Sequence, residues 1–144
     1  MKDLFYALTL ALICWGFGGC TGDAANDDPS PEYAELLPGR WACVKEVYAD
    51  EEPYYFDSGE FTFEFGERGM GLFLALDDEL GQLSEAFRYR VQGEELYLAL
   101  YYGSELDEEM CWHIDRLDDK ELVVSYAEQD LGDDMTVKLY LERL

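Results

Sequence analysis

From Arg40 to Arg143 the chain repeats one device eight times: a short apolar or alternating run, closed off by glycines or acidic residues. A period of two is that of a strand with one buried face, and no long segment keeps a helical period. The runs span 40–48, 60–65, 70–76, 86–92, 95–102, 110–117, 121–127 and 135–143. Alternation is cleanest where Phe61, Phe63 and Phe65 enclose Thr62 and Glu64, where Phe87, Tyr89 and Val91 enclose Arg88 and Arg90, and along Met135, Val137, Leu139 and Leu141. Gly66-Glu67-Arg68-Gly69, Gly93-Glu94 and Asp118-Asp119-Lys120 have hairpin-turn composition, which makes successive strands antiparallel neighbours. Eight strands in a meander leave two open edges unless the first pairs with the last. The expected fold is therefore all-β, an eight-stranded antiparallel up-and-down barrel. Ser30 as N-cap and Pro31 at the first helical position predict a short N-terminal helix over 31–37, ended by Pro38-Gly39.

Ahead of the barrel, Lys2 and the initiator amine are followed by an apolar stretch from Leu4 to Trp15 and by Gly18-Gly19-Cys20. The stretch is shorter than the ~20 apolar residues that span a bilayer. It resembles the signal of bacterial lipoproteins, which implies cleavage before Cys20 and acylation of that thiol; an ordinary secretory leader and a buried helix are the competing readings. Phe17 and Gly18 depart from that family's preferred residues. Each buried acyl methylene contributes ~0.8 kcal/mol, so several chains make a permanent anchor. Thr21, where the family's inner-membrane proteins carry Asp, implies the outer membrane, with the domain facing the periplasm or the cell surface. Residues 21–31, TGDAANDDPSP, hold no large apolar residue and read as a flexible tether. The division is then 1–19 signal peptide, 20–31 lipidated Cys and tether, and 32–144 barrel.

Removal of residues 1–19 takes away one Lys and one Asp and leaves the net charge at −23. That charge excludes nucleic acid as a partner and repels anionic headgroups, so the membrane is reached through the lipid alone. With Cys14 in the leader and Cys20 acylated, Cys43 and Cys111 remain in a disulfide-permissive compartment. Cys43 falls on the inner parity, whereas Cys111 alternates with the inward Met110, Trp112 and Ile114. A Cys43–Cys111 bridge and two separate thiols are both left open, and the spacing is unlike a zinc site.

Gly39-Arg40-Trp41, at the head of the first strand and just after the short helix, is similar to the Gly-x-Trp motif of the lipocalin-like calycins, and the resemblance extends over roughly 36–144. It implies an Arg at the end of the last strand stacked over that Trp. Arg143 fits on independent grounds, since it shares parity with Met135, Val137, Leu139 and Leu141 and the last strand ends beside the start of the first. The contact expected between Trp41 and Arg143 is a cation–π pair of ~0.5 to 2 kcal/mol. The chain is shorter than vertebrate-type lipocalins and lacks their C-terminal helix.

No catalytic residue is assigned. The single histidine, His113, is expected on the outer face with no motif-placed partner, and no phosphate loop, HExxH or cysteine-pair signature occurs. Phe61, Phe63, Phe65, Phe87, Tyr89, Leu98 and Trp112 are the candidate lining for a small hydrophobic ligand; the alternative is that they fill the barrel. Phe73, Ala75, Tyr97, Ala99 and Tyr101 read as an outer apolar patch beside Arg88 and Arg90, fit for an envelope protein partner unless the loop 77–84 folds back over it. Asp77, Asp78 and Glu79; Glu105, Asp107, Glu108 and Glu109; and Asp130, Asp133 and Asp134 fall on links at the end opposite Trp41. Such an acidic mouth favours a cationic ligand or weak Ca²⁺ binding, with Kd on the order of 10⁻⁴ to 10⁻³ M, against the plainer reading of solvated loops.

Overall fold

Turn chemistry sets the topology at one end. Asp118 Oδ1 accepts hydrogen bonds from the backbone N–H groups of Lys120 (2.9 Å) and Glu121 (2.8 Å), closing the last of the turns read from the sequence at that end. The computed structural model describes residues 31–49, 51–130 and 133–144, the side chains of 31, 32, 129, 130, 133 and 134 excepted. The leader, Cys20 and the tether to residue 30 lie outside the described residues. Helix α1 (Pro31–Leu36) precedes β1 (Gly39–Tyr48), β2 (Tyr54–Tyr55), β3 (Phe61–Phe65), β4 (Met70–Asp77), β5 (Gly81–Gln92), β6 (Glu95–Tyr102), β7 (Glu105–Leu106), β8 (Met110–Leu117), β9 (Glu121–Asp130) and β10 (Asp133–Arg143). Leaving aside the two-residue β2 and β7, eight antiparallel strands follow the order of the sequence and β10 returns to pair with β1, closing the barrel.

The closed end lies under α1. Trp41 is fully buried, its Nε1 donates to Leu37 O at 2.8 Å, and the Arg143 guanidinium sits 4.2 Å over its ring. The two residues are direct cross-strand partners, as their parity requires. Arg143 also donates to Pro38 O (3.0 Å) and Leu36 O, tying the last strand to the segment that enters the first. Gly39 has φ +140°, and a Cβ there would collide with Arg143 Nη1, so the motif's glycine makes room for the arginine. Gly71 does the same for Phe87, whose ring occupies the space a Cβ would need.

Three readings of the sequence are corrected or decided. Phe73 and Ala75 are buried inside, because β4 pairs with β3 as Phe63↔Phe73 and Phe61↔Ala75, and cross-strand partners share a face. Met70, Leu72, Leu74 and Leu76 take the outer face instead. The expected loop 77–84 is a tight turn: Asp77 Oδ1 accepts from the N–H groups of Glu79 (2.8 Å) and Leu80 (2.7 Å), and β5 starts at Gly81. Its first residues, Gly81 to Glu85, include only one large apolar side chain, so only pairing with β4 reveals the strand. Leu80, 71% exposed, covers nothing. Cys43 is a free buried thiol, so the Cys43–Cys111 bridge is not made.

A departure from simple alternation in β1 matters most for function. The register of β1 against β10 slips between Cys43 and Lys45, leaving Val44 as a bulge whose carbonyl accepts the Phe56 N–H at 3.1 Å. Beyond the bulge the faces exchange. Glu46 and Tyr48 face Leu139 and Val137 on the inner side, while Lys45 lies outside with its ammonium 3.8 Å over the Tyr140 ring.

Candidate functional site

The seven candidate lining residues all take the inner face, and they fill it. Phe65 meets Phe87 (5.4 Å between centroids) and Tyr89 (5.1 Å) edge to face, and Phe63 meets Trp112 the same way at 5.7 Å. Phe61 and Leu98 are 3% exposed. The void left between Phe63, Phe73, Phe87, Leu100 and Trp112 is about 10 Å³, at the lower limit for one water and far below the ~300 Å³ of a small ligand site. Of the two readings the sequence leaves open, a cup and a filled barrel, this half is the filled one, with Gly71 making room for the Phe87 ring.

Toward the open end the interior changes character. Behind the Val44 bulge, Glu46 is 1% exposed and neither carboxylate oxygen has a hydrogen-bond partner. Tyr126 and Glu128 stand on the inner parity of β9, opposite Val137 and Met135, and the Tyr126 ring stacks on Trp112 at 5.5 Å. Burial first, and then the charge of Glu128, push the Glu46 pKa up to about 7; the nearby Tyr48 hydroxyl works against this but makes no hydrogen bond of normal geometry to it. Burial is likewise the main cause that pushes the Tyr48 and Tyr126 hydroxyls and the Cys43 thiol up, with Glu46 adding to each. Two acidic groups and two tyrosines thus face inward over a floor of packed aromatics. Strict alternation from Trp41 and Cys43 puts Lys45 and Val47 inside, which is why the sequence hid Glu46. The available signal is weak: Val44, Lys45 and Glu46 break the alternation.

The acidic links emerge at this same end, but they are not one ring of equivalent charges. Asp77 is engaged in its turn, Glu105 belongs to β7, which pairs with Tyr101 and Tyr102, and Glu109 binds Arg90 on the outer wall through two contacts of 3.0 and 2.5 Å. Arg90 also lies 3.7 Å over the Tyr97 ring, so that part of the outer aromatic patch is neutralised. Asp78, Glu79, Asp107 and Glu108 are exposed in the links. The backbones of Asp130 and Asp133 pair at the end of the β9–β10 hairpin, next to Asp134, and the side chains of these three lie outside the described residues. Among the described residues, no group of three or more His, Cys, Asp or Glu comes together as a metal site. His113 sits on the outer wall with Nδ1 3.1 Å from Glu95 Oε1, its side chain 44% exposed.

No protein-family model matches this chain, and no curated protein sequence matches it. Among solved structures it is similar to a lipocalin-like protein from Bacteroides uniformis, with a TM-score of 0.58 and 17% identity over 75% of this chain and 98% of that one. It is also similar to an uncharacterized protein from Bacteroides eggerthii, with a TM-score of 0.57 and 15% identity over 74% and 98% of the two chains. The lipocalin-like barrel is the property these likenesses share with it.

Proposed function

We propose that this chain is a lipid-tethered envelope protein whose lipocalin-like barrel binds a small ligand at its open end and carries out no chemistry on it. The observation that carries the binding reading is the division of the interior: the aromatic half is filled, whereas the open half presents Glu46, Tyr48, Tyr126 and Glu128 inward. A barrel that served only as a scaffold gains nothing from an interior carboxylate without a partner, since an unsatisfied buried polar group costs ~1 to 3 kcal/mol and more when charged. Native mass spectrometry of the protein extracted from its own envelope tests the reading. A small molecule retained by the wild type and lost in Tyr126→Ala is expected; protein that carries none rules it out.

The tether rests on the leader and Cys20. Cys20→Ser is expected to move the protein from the membrane pellet to the soluble envelope fraction with an unchanged melting temperature, and a variant that stays in the pellet contradicts anchoring through this residue.

One observation favours a second reading, an interaction module with a solid barrel. Met70 and Leu76 are 42% and 52% exposed on the outer face of β4, in line with Leu72 and Leu74, beside a packed interior. A defined protein complex lost in a Met70→Ser, Leu76→Ser double variant, together with an interior free of small molecules, is the result that selects it.

A further inference from the structure

We infer that the ligand taken at the open end is a small organic cation, an amine or a guanidinium, whose N–H groups are received by the two Glu46 oxygens while its carbon body lies against Tyr126 and Tyr48. This narrows the ligand-binding reading above and rests on it.

The argument starts from an imbalance of hydrogen bonds. More than nine in ten buried polar groups in folded proteins have partners, yet at 1% exposure neither acceptor atom of Glu46 has one of normal geometry, the Tyr48 hydroxyl being the one nearby donor among the described residues. The fold goes out of its way to put it there, because without the bulge at Val44 this side chain would point into water. No cation of the described chain answers it. Lys45, the adjacent residue, is turned outward onto Tyr140, and Glu46 makes no ion pair with any lysine or arginine among the described residues. Its charged neighbour inside the barrel is another carboxylate, Glu128.

The surroundings choose among ligand classes. A fatty acid or phosphate would bring negative charge against Glu46 in a protein of net charge −23. A calcium ion takes 6–8 oxygens, and among the described residues no three acidic, histidine or cysteine side chains converge. An ammonium or guanidinium asks for less: two acceptor oxygens and an aromatic wall. Glu46 supplies the oxygens, and Tyr48 and the Tyr126–Trp112 stack supply the wall. The acidic links at the same end raise the local concentration of any cation before it enters.

Titration of the full-length protein at pH 8 with n-hexylamine and with agmatine tests this, with n-hexanol and NaCl of matched ionic strength as controls. Tryptophan emission reports on Trp112, stacked on Tyr126, and melting temperature reports on binding independently. Saturable responses to the amines are expected at concentrations at least tenfold below n-hexanol, and Glu46→Gln is expected to abolish that preference. Glu46→Leu, which replaces the orphaned carboxylate by an apolar group of similar size, serves the same purpose if the glutamine variant does not fold. Equal binding of n-hexylamine and n-hexanol overturns the inference, as does amine preference retained in both variants or no response to either amine. A neutral molecule retained from the envelope, with amines inert, overturns the inference and leaves ligand binding standing. An empty protein that responds to no probe overturns both.

Discussion

The two ends of this barrel treat their charged groups in opposite ways. At the closed end Arg143 lies on Trp41 and donates to the carbonyls of Pro38 and Leu36, leaving only its Nε without an acceptor, and Asp118 is held by two backbone N–H groups and by Arg116. At the open end Glu46 is far more deeply buried than either, at 1% exposure, and neither oxygen has a hydrogen-bond partner of normal geometry. Side chains at the closed end answer one another, so that end joins the first and last strands and is built for stability. A carboxylate left unanswered in the same small domain marks the end where something else is meant to arrive.

The largest effect expected from this contrast is at the closed end. Trp41→Ala removes a fully buried indole and should cost about 3 to 5 kcal/mol in chemical denaturation. Part of that loss should disappear in an Arg143→Ala background, because the guanidinium then has no ring to lie on. A double-mutant cycle reads the difference directly, and strictly additive losses would separate the two residues energetically and remove one side of the comparison.

How far each end was legible in the sequence follows the same division. Gly39, Trp41 and Arg143 were readable because unbroken alternation along β10 fixes the parity of Arg143 and the meander fixes its neighbour. The eight main strands and their order were readable for the same reason. Glu46 was not, because one extra residue at Val44 reverses every side chain after it, and the bulge leaves only a weak trace in the sequence, the broken alternation at Val44, Lys45 and Glu46. Phe73 was misplaced by a related ambiguity: β4 is apolar on both faces, so only its pairing with Phe63 decides which residues go in. Whether the barrel is hollow or filled stayed open in the sequence, because filling depends on how phenylalanine rings meet across strands, as Phe87 does over Gly71, and not on how many there are.

The next effect in size is at the open end and has the opposite sign to the usual carboxylate. Glu46 titrates near pH 7 in the folded protein against an ordinary value of 4.5, so the folded state holds its proton more tightly than the unfolded chain. Stability is therefore highest below about pH 4.5 as far as this group is concerned, falls as pH rises to about 7, and is flat beyond. The full difference is about 3 kcal/mol at 1.36 kcal/mol per pKa unit. Among the described residues, the groups coupled to it, Cys43 and Tyr48 from β1, Tyr126 and Glu128 from β9, and Tyr54 from β2, include no base to reverse the sign. Glu46→Gln should flatten the stability profile between pH 4.5 and 7 and leave the variant more stable than wild type at pH 8. A variant whose profile still falls over that range would place the titrating group elsewhere.

The smallest effect returns to the closed end and runs the other way. Asp118 is exposed, yet the backbone N–H groups of Lys120 and Glu121, and then the Arg116 side chain, hold its pKa at about 2 against an ordinary 3.8. Its folded form therefore sheds the proton more readily than the unfolded chain, and its contribution is present above pH 3.8 and lost as pH falls through about 2. Asp118→Ala should lower the melting temperature slightly at pH 6, and the gap from wild type should close on acidification to pH 2. Read in a Glu46→Gln background, that narrowing gap isolates the closed end from the opposing titration at the open end. A gap unchanged down to pH 2 would mean that the turn owes its stability to backbone conformation and not to the ionised carboxylate, and the contrast between the two ends would then rest on Arg143 alone.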